Sequence, residues 1–282
     1  DPQFLHSDTS HSYGRSFFDV ARLGNGEVAA VWLDGRPGKS EKGSALYFNR
    51  TMPGKGFGTD HVVDKNTCEC CRTALLTDAR GNLHVAYRKI LYPAEKLGKP
   101  VRDMVYAMSA DNGNSFSTPS LISRDGWVLE GCPHTGPSIA MADQDPAAIW
   151  FTAGGDPGLY VSKISHSNND SRMLVTRTGK HPQVVSSGEG RLTAIWEEAG
   201  EEKPVESGMG HHEAHADSGT GIRISRIRNG KPEKTLYLLS DAVPRHHPVI
   251  LNTRSGMLAA WIAENDGKPG IEYVHIRPEA GN

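Results

Sequence analysis

The sequence predicts an all-β fold, a five-bladed β-propeller built from four-stranded blades. Three observations carry this. A hairpin pattern ending in an aromatic residue recurs five times along the 282 residues. Further short apolar runs follow each copy, as a blade requires. The chain has no long stretch of helical period to set against these runs.

The hairpins are FFDVARLGNGEVAAVWLD, RTALLTDARGNLHVAYRK, GPSIAMADQDPAAIWFT, HPQVVSSGEGRLTAIWEE and HPVILNTRSGMLAAWIAE. Each joins two runs rich in Val, Ile, Leu and aromatics through a polar turn of Gly, Asn or Asp, which is the signature of a hairpin. Their anchoring aromatics are Trp32, Tyr87, Trp150, Trp196 and Trp261, spaced by 55, 63, 46 and 65 residues. Third runs follow as SALYFNRT, DMVYAMSA, LYVSKISH, IRISRIR and IEYVHIR. Fourth runs follow four of the copies: HVVD, SLIS, MLVT and LYLLS. The fifth copy has none, and the N-terminal PQFLHS is the expected strand that completes it and closes the ring. The rival reading is a six-bladed propeller, trimmed. Either way, residues 1–282 read as one domain.

Composition narrows the function classes. Hydrophobic residues make up 37% and charged residues 23%, as in a soluble globular protein, with a formal net charge of -2. There is no basic excess of the kind a nucleic-acid partner calls for. No run of about 20 apolar residues marks a membrane helix. A monomer is the expectation. Thirty-one Gly and 17 Pro suit a fold with many turns.

The segment SADNGNSFSTP, from Ser109 to Pro119, resembles the Asp-box of the sialidase superfamily, with Ser109, Asp111, Gly113, Ser115 and Phe116 in place. In that family the box is a structural turn, its Asp side chain capping backbone N–H groups. WLDGR, CECCRT, YRK, VRDM, DGW and GCPHTGP together resemble a bacterial group of sialidase-like (BNR-repeat) proteins. The resemblance implies a propeller fold, a periplasmic or secreted location and a small anionic ligand or glycan as partner. Sialidases use three arginines for the substrate carboxylate, a Tyr–Glu nucleophile pair and an Asp acid. They also carry an FRIP-like motif near the start, which this sequence lacks.

Propeller geometry puts the loops entering the innermost strands and the loops between second and third strands on one face. The entering loops contain His11, Tyr13 and Arg15; CECCR; GCPHT; Lys180 and His181; and Arg245, His246 and His247. The other loops contain Asp34 and Arg36, Arg88 and Arg102, and a long insertion with GHHEAHAD. Two readings of this face stay open. In the first, Arg36, Arg72, Arg88 and Arg102 bind an anionic sugar through bidentate hydrogen bonds, and Asp34 or Glu197 supplies acid–base chemistry. In the second, the face holds copper or zinc, copper first, on Cys70, Cys71, His134, His181 and His246, joined by His211, His212 and His215 from the insertion. Aligning the hairpins sets Cys68 and Cys132 at equivalent positions in adjacent blades, so a disulfide between them is expected.

Overall fold

The computed structural model describes residues 4–8, 10, 14–36, 42–129, 131, 133–164, 172–198, 220–233, 235–239 and 243–277. Its strands group into antiparallel sheets of nine, four, five and three strands, the first of which spans two blade-like units joined at Thr67 and Lys89, a β-propeller architecture. Blade one runs Arg15–Arg22, Val28–Asp34, Ser44–Met52 and His61–Thr67. Blade two runs Ala74–Thr77, Leu83–Leu91, Val101–Ser109 and Ser120–Leu121. Blade three comprises Ser138–Ala142, Asp145–Thr152, Gly158–Lys163 and Met173–Thr176. Blade four comprises Gly179–Gly188, Arg191–Glu198, Gly221–Arg228 and Leu236–Leu239. Blade five comprises Arg245–Thr253, Gly256–Asn265 and Lys268–Ile276. All four predicted outer runs form fourth strands. Among the described residues no helix is long and apolar enough to cross a membrane.

Why the second strand of each blade reads as an unbroken apolar run follows from its position. Val28–Asp34 is buried on both faces apart from its first residue, because blades stack face to face. Four apolar clusters fill the interfaces in turn. Leu33, Leu46 and Phe48 of blade one meet Val85, Tyr87 and Val105 of blade two. Ala86 and Met104 meet Ile139, Trp150 and Tyr160 of blade three. Ile149 and Leu159 meet Val184, Leu192 and Trp196 of blade four. Ile195, Ile222 and Ile224 meet Ile250 and Trp261 of blade five.

The N-terminal segment departs from expectation. Residues 4–8 form no strand and do not complete blade five. They lie against blade one: Ser7 N donates to Asp60 Oδ1 at 2.7 Å and Asn49 Nδ2 donates to Leu5 O at 2.9 Å. The buried carboxylate of Asp60 and the amide of Asn49 capture the segment before it can reach the far side. Among the described residues blade five has three strands, and its outer strand exposes Ile271 at 80% and Tyr273 at 73%. On the inner strand of blade one, Phe18 at 68% and Val20 at 51% are likewise exposed.

Each anchoring aromatic has its polar atom tied to a carboxylate, and each of those carboxylates is tied to a cation. Trp32 Nε1 donates to Asp34 at 2.9 Å, and Arg36 and Arg15 pair with Asp34 at 2.8 and 3.2 Å. Tyr87 Oη donates to Asp64 at 2.6 Å, which also pairs with Lys89. Trp150 Nε1 donates to Asp125 at 2.9 Å, and Arg172 pairs with Asp125. Trp196 Nε1 reaches Glu198 at 3.3 Å, and Arg223 pairs with it at 3.4 Å. Trp261 Nε1 donates to Glu272 at 2.9 Å, and Arg245 pairs with it at 2.8 Å.

The Ser109–Pro119 turn closes as its residue pattern requires. Asp111 accepts from the Ser115 N–H at 2.9 Å, the Ser115 hydroxyl at 2.6 Å and the Ser109 hydroxyl at 2.7 Å. Gly113 sits at φ +82°, and a Cβ there would fall 2.2 Å from the Phe48 ring, so only glycine lets the turn seat on blade one. Phe116 packs edge-on against Phe48, with centroids 5.2 Å apart.

Two outcomes follow. Asp125→Ala strands a buried indole N–H and a guanidinium, so it should cost about 3–5 kcal/mol, read as a lower urea midpoint; an unchanged midpoint would remove the anchor role. The Ser115 and Ser109 bonds hold the Asp111 carboxyl down at about 2. A depressed carboxyl stabilises the fold fully above its ordinary pKa of about 4 and ceases to do so as pH falls through the folded value. Asp111→Asn should therefore flatten the acid-unfolding curve between about pH 4 and 2, measured by circular dichroism.

Candidate functional site

The innermost strands surround an axial cavity of about 430 Å³, lined among others by Phe17, Asp19, Arg72, Thr73, Ser138 and Gln183. Its mouth is shaped by irregular strand starts. Blades one, four and five each carry a β-bulge there, between Ser16 and Asp19, Lys180 and Gln183, and His246 and Val249. Within each bulge one non-glycine residue is left-handed: Phe17 at φ 51°, His181 at 49° and His247 at 53°. Such residues are uncommon and collect where a side chain must be aimed.

Among the described residues, two groups of atoms of the kind that can hold a metal gather on this face. The first is Cys68, Cys70 and Cys71, buried to 1%, 4% and 1% exposure. The Cys68 Sγ lies 3.2 Å from that of Cys71 and 3.8 Å from that of Cys70. All three are in the thiol form. Phe17 packs over them, and the His134 ring lies 6.2 Å from that of Phe17. Arg102 Nη1 donates to Cys68 Sγ at 2.9 Å and to Glu69 Oε2 at 3.1 Å. The hydrogen bond from the Cys71 thiol, helped by the Arg102 charge, pulls the Cys68 thiol down against its burial. Cys71 is pushed up by those same sulfur neighbours and by burial.

The second group is His181, Glu197 and His247, whose donor atoms lie within 4.8 Å of one another. His181 Nδ1 is 2.5 Å from Glu197 Oε1, and the His247 backbone N–H donates to Glu197 Oε2 at 2.8 Å. The two rings stand 4.6 Å apart, and Arg72 Nη2 reaches His247 Nδ1 at 3.4 Å. Burial raises the Glu197 carboxyl, but the His181 and His247 bonds outweigh it and hold the group below its ordinary value. Burial and the neighbouring His181 push His247 down, toward the neutral form a metal needs.

The remaining predicted residues have other duties. Asp34 is fully buried in the Trp32, Arg15 and Arg36 contacts, and Arg36 also pairs with Asp60 and lies over the Tyr47 ring at 3.9 Å. Arg88, 1% exposed, joins blades two and three by donating to the carbonyls of Arg102 at 2.8 Å, Thr135 at 3.3 Å and Phe151 at 2.8 Å. It also lies over Trp127 at 4.7 Å. The DGW motif belongs to the same joint: Asp103 accepts from the N–H groups of Gly126 at 3.0 Å and Trp127 at 3.2 Å. His246 contacts Thr220 Oγ1 at 3.2 Å, and its ring lies 6.4 Å from that of His247. Cys132, His211, His212 and His215 lie outside the described residues. In place of His246 the second group takes His247.

No family model matches the sequence, and no curated protein does. Among solved structures, a protein of unknown function from Dyadobacter fermentans matches over 94% of this chain and 79% of its own, at 14% identity and a TM-score of 0.57. An exo-1,5-α-L-arabinanase from a bovine ruminal metagenomic library matches over 93% and 92%, at 11% identity and a TM-score of 0.48. The NanB sialidase of Streptococcus pneumoniae matches over 93% and 66%, at 8% identity and a TM-score of 0.43. At such identities the likeness is one of fold. The likeness does not single out sialidases.

Arg88→Met removes three bonds to backbone carbonyls while keeping much of the side-chain bulk. It should destabilise by about 3 kcal/mol or more and quicken the reaction of Cys68, Cys70 and Cys71 with a thiol reagent. A variant matching the wild type in both would show that the cysteine loop is held by other means.

Proposed function

We propose that this propeller is a metal-binding protein whose Cys68, Cys70 and Cys71 sulfurs hold a soft ion, copper(I) before zinc. One observation carries the reading: three buried thiols already stand at ligand spacing. With metal–sulfur bonds of about 2.3 Å, three sulfurs around one ion lie about 4 Å apart. The sulfur separations of 3.8 and 3.2 Å need only a small opening to reach this. Thiolates select copper(I) and zinc. Structural zinc sites take four ligands, whereas this group offers three among the described residues, a number that suits copper(I). Arg102, donating to Cys68, offsets part of the thiolate charge.

Sugar hydrolysis asks for two carboxylates about 5–9.5 Å apart around an open site. Asp34 is locked into the first aromatic anchor, and Arg36, Arg88 and Arg102 are engaged by protein acceptors. Glu197, the other candidate carboxylate, is bonded to His181 and to the His247 N–H, so the mouth is better furnished for holding a cation than for cleaving a glycoside.

Anaerobic titration with copper(I) against a chromophoric chelator should give one tightly held ion per chain, with copper–sulfur scattering in X-ray absorption. Cys70→Ser with Cys71→Ser should abolish it while leaving the circular dichroism unchanged. Binding that survives in the double variant would refute the thiol site. Zinc held at one per chain and not displaced by copper(I) would overturn the choice of metal.

A further inference from the structure

The other face of the propeller carries a different kind of site. At the hairpin ends of blades four and five a cavity of about 470 Å³ is lined by Arg191, Arg226, Arg228, Arg254 and Arg277, and among the described residues no carboxylate lines it. Each arginine sits at or next to a turn. Arg191 opens the second strand of blade four, Arg226 and Arg228 end its third, Arg254 lies in the first hairpin of blade five, and Arg277 follows its last strand. Glu189 pairs with Arg191 at 2.7 Å, and Glu233 with Arg228 at 3.3 Å. Both carboxylates are largely exposed, at 81% and 41%, so these ion pairs are weak and open to exchange. Hydroxyls and an amide complete the wall, from Ser186, Ser187, Thr193, Asn252 and Thr253.

We propose that this groove binds a short acidic oligosaccharide bearing sulfate or carboxylate groups. Several guanidinium forks on one concavity match planar or tetrahedral oxyanions bidentately. The hydroxyl and amide groups between them suit sugar hydroxyls. The volume falls within the range of small-ligand sites, about 300–1,000 Å³, and so admits a sugar unit or two. A nucleic acid fits less well. Aromatic stacking platforms of the kind that hold single strands are missing from the lining residues, and the chain as a whole carries a formal net charge of -2. The inference is independent of the thiol reading, because it uses other residues on the opposite face.

The test is calorimetric titration of the whole protein with a sulfated heparin-derived disaccharide, a galacturonic acid disaccharide, a neutral disaccharide, inorganic phosphate and a single-stranded oligonucleotide. Either acidic disaccharide should bind, more weakly as salt rises. Arg254→Ser combined with Arg277→Ser should weaken binding about tenfold or more and leave the copper titration and circular dichroism unchanged. Equal binding by the double variant, equal affinity for the neutral disaccharide, tighter binding of phosphate alone, or preference for the oligonucleotide would each overturn the proposal.

Discussion

The structure depends on a bond that sheet hydrogen bonding cannot supply, the one between a buried aromatic and an acid. Every blade puts a Trp or Tyr with its polar atom at the blade interface. Left alone, that N–H or O–H would be desolvated without a partner, at a cost comparable to a lost hydrogen bond. Asp34, Asp64, Asp125, Glu198 and Glu272 answer it, and a cation then answers the acid. The acids come from different positions in the blade: two residues after the aromatic in blades one and four, but from a preceding segment in blades two and three and the following strand in blade five. What repeats is therefore the interaction, and the spacing varies.

The joint between blades two and three extends this logic to the candidate site. The Arg88 carbonyl accepts the Cys68 N–H at 2.8 Å, while its guanidinium holds the Arg102 carbonyl. Arg102 in turn reaches back to the Cys68 sulfur. Backbone and side chains of two arginines thus enclose the thiol loop from both sides. Their burial is tolerable because each guanidinium is answered by carbonyls, a sulfur or a carboxylate. The position of the thiols is a by-product of how two blades are joined.

The blades were legible in the sequence because their second strands are apolar on both faces and their turns are polar. Even the short fourth strands could be read, down to Met173–Thr176. The closing strand was not legible. PQFLHS has strand-like composition, but residues 4–8 are held by Asp60 and Asn49, partners that no local pattern reveals. Loop counting placed Arg36, Arg88 and Arg102 on one face but could not say whether their guanidiniums meet solvent or protein carbonyls, since charge type alone is silent on direction. The cysteine triad was legible as a cluster. The His181–Glu197–His247 group was only half legible, because a bulge shifts strand parity at His247. The arginine groove went unseen because its members are scattered over some 87 residues, from Arg191 to Arg277, and meet only through the stacking of two hairpins.

The left-handed residues at the bulges have a consequence for how such a rim changes over time. In blades one, four and five the backbone, rather than the side chain, fixes where the residue points. Phe17 serves as a cover over sulfur, and His181 and His247 serve as partners of a carboxylate, from the same kind of backbone seat. The seat therefore behaves like an interchangeable mount. A point substitution there exchanges the chemistry offered to the axis without rebuilding a strand, so the rim can acquire or lose a function faster than the blades beneath it can drift.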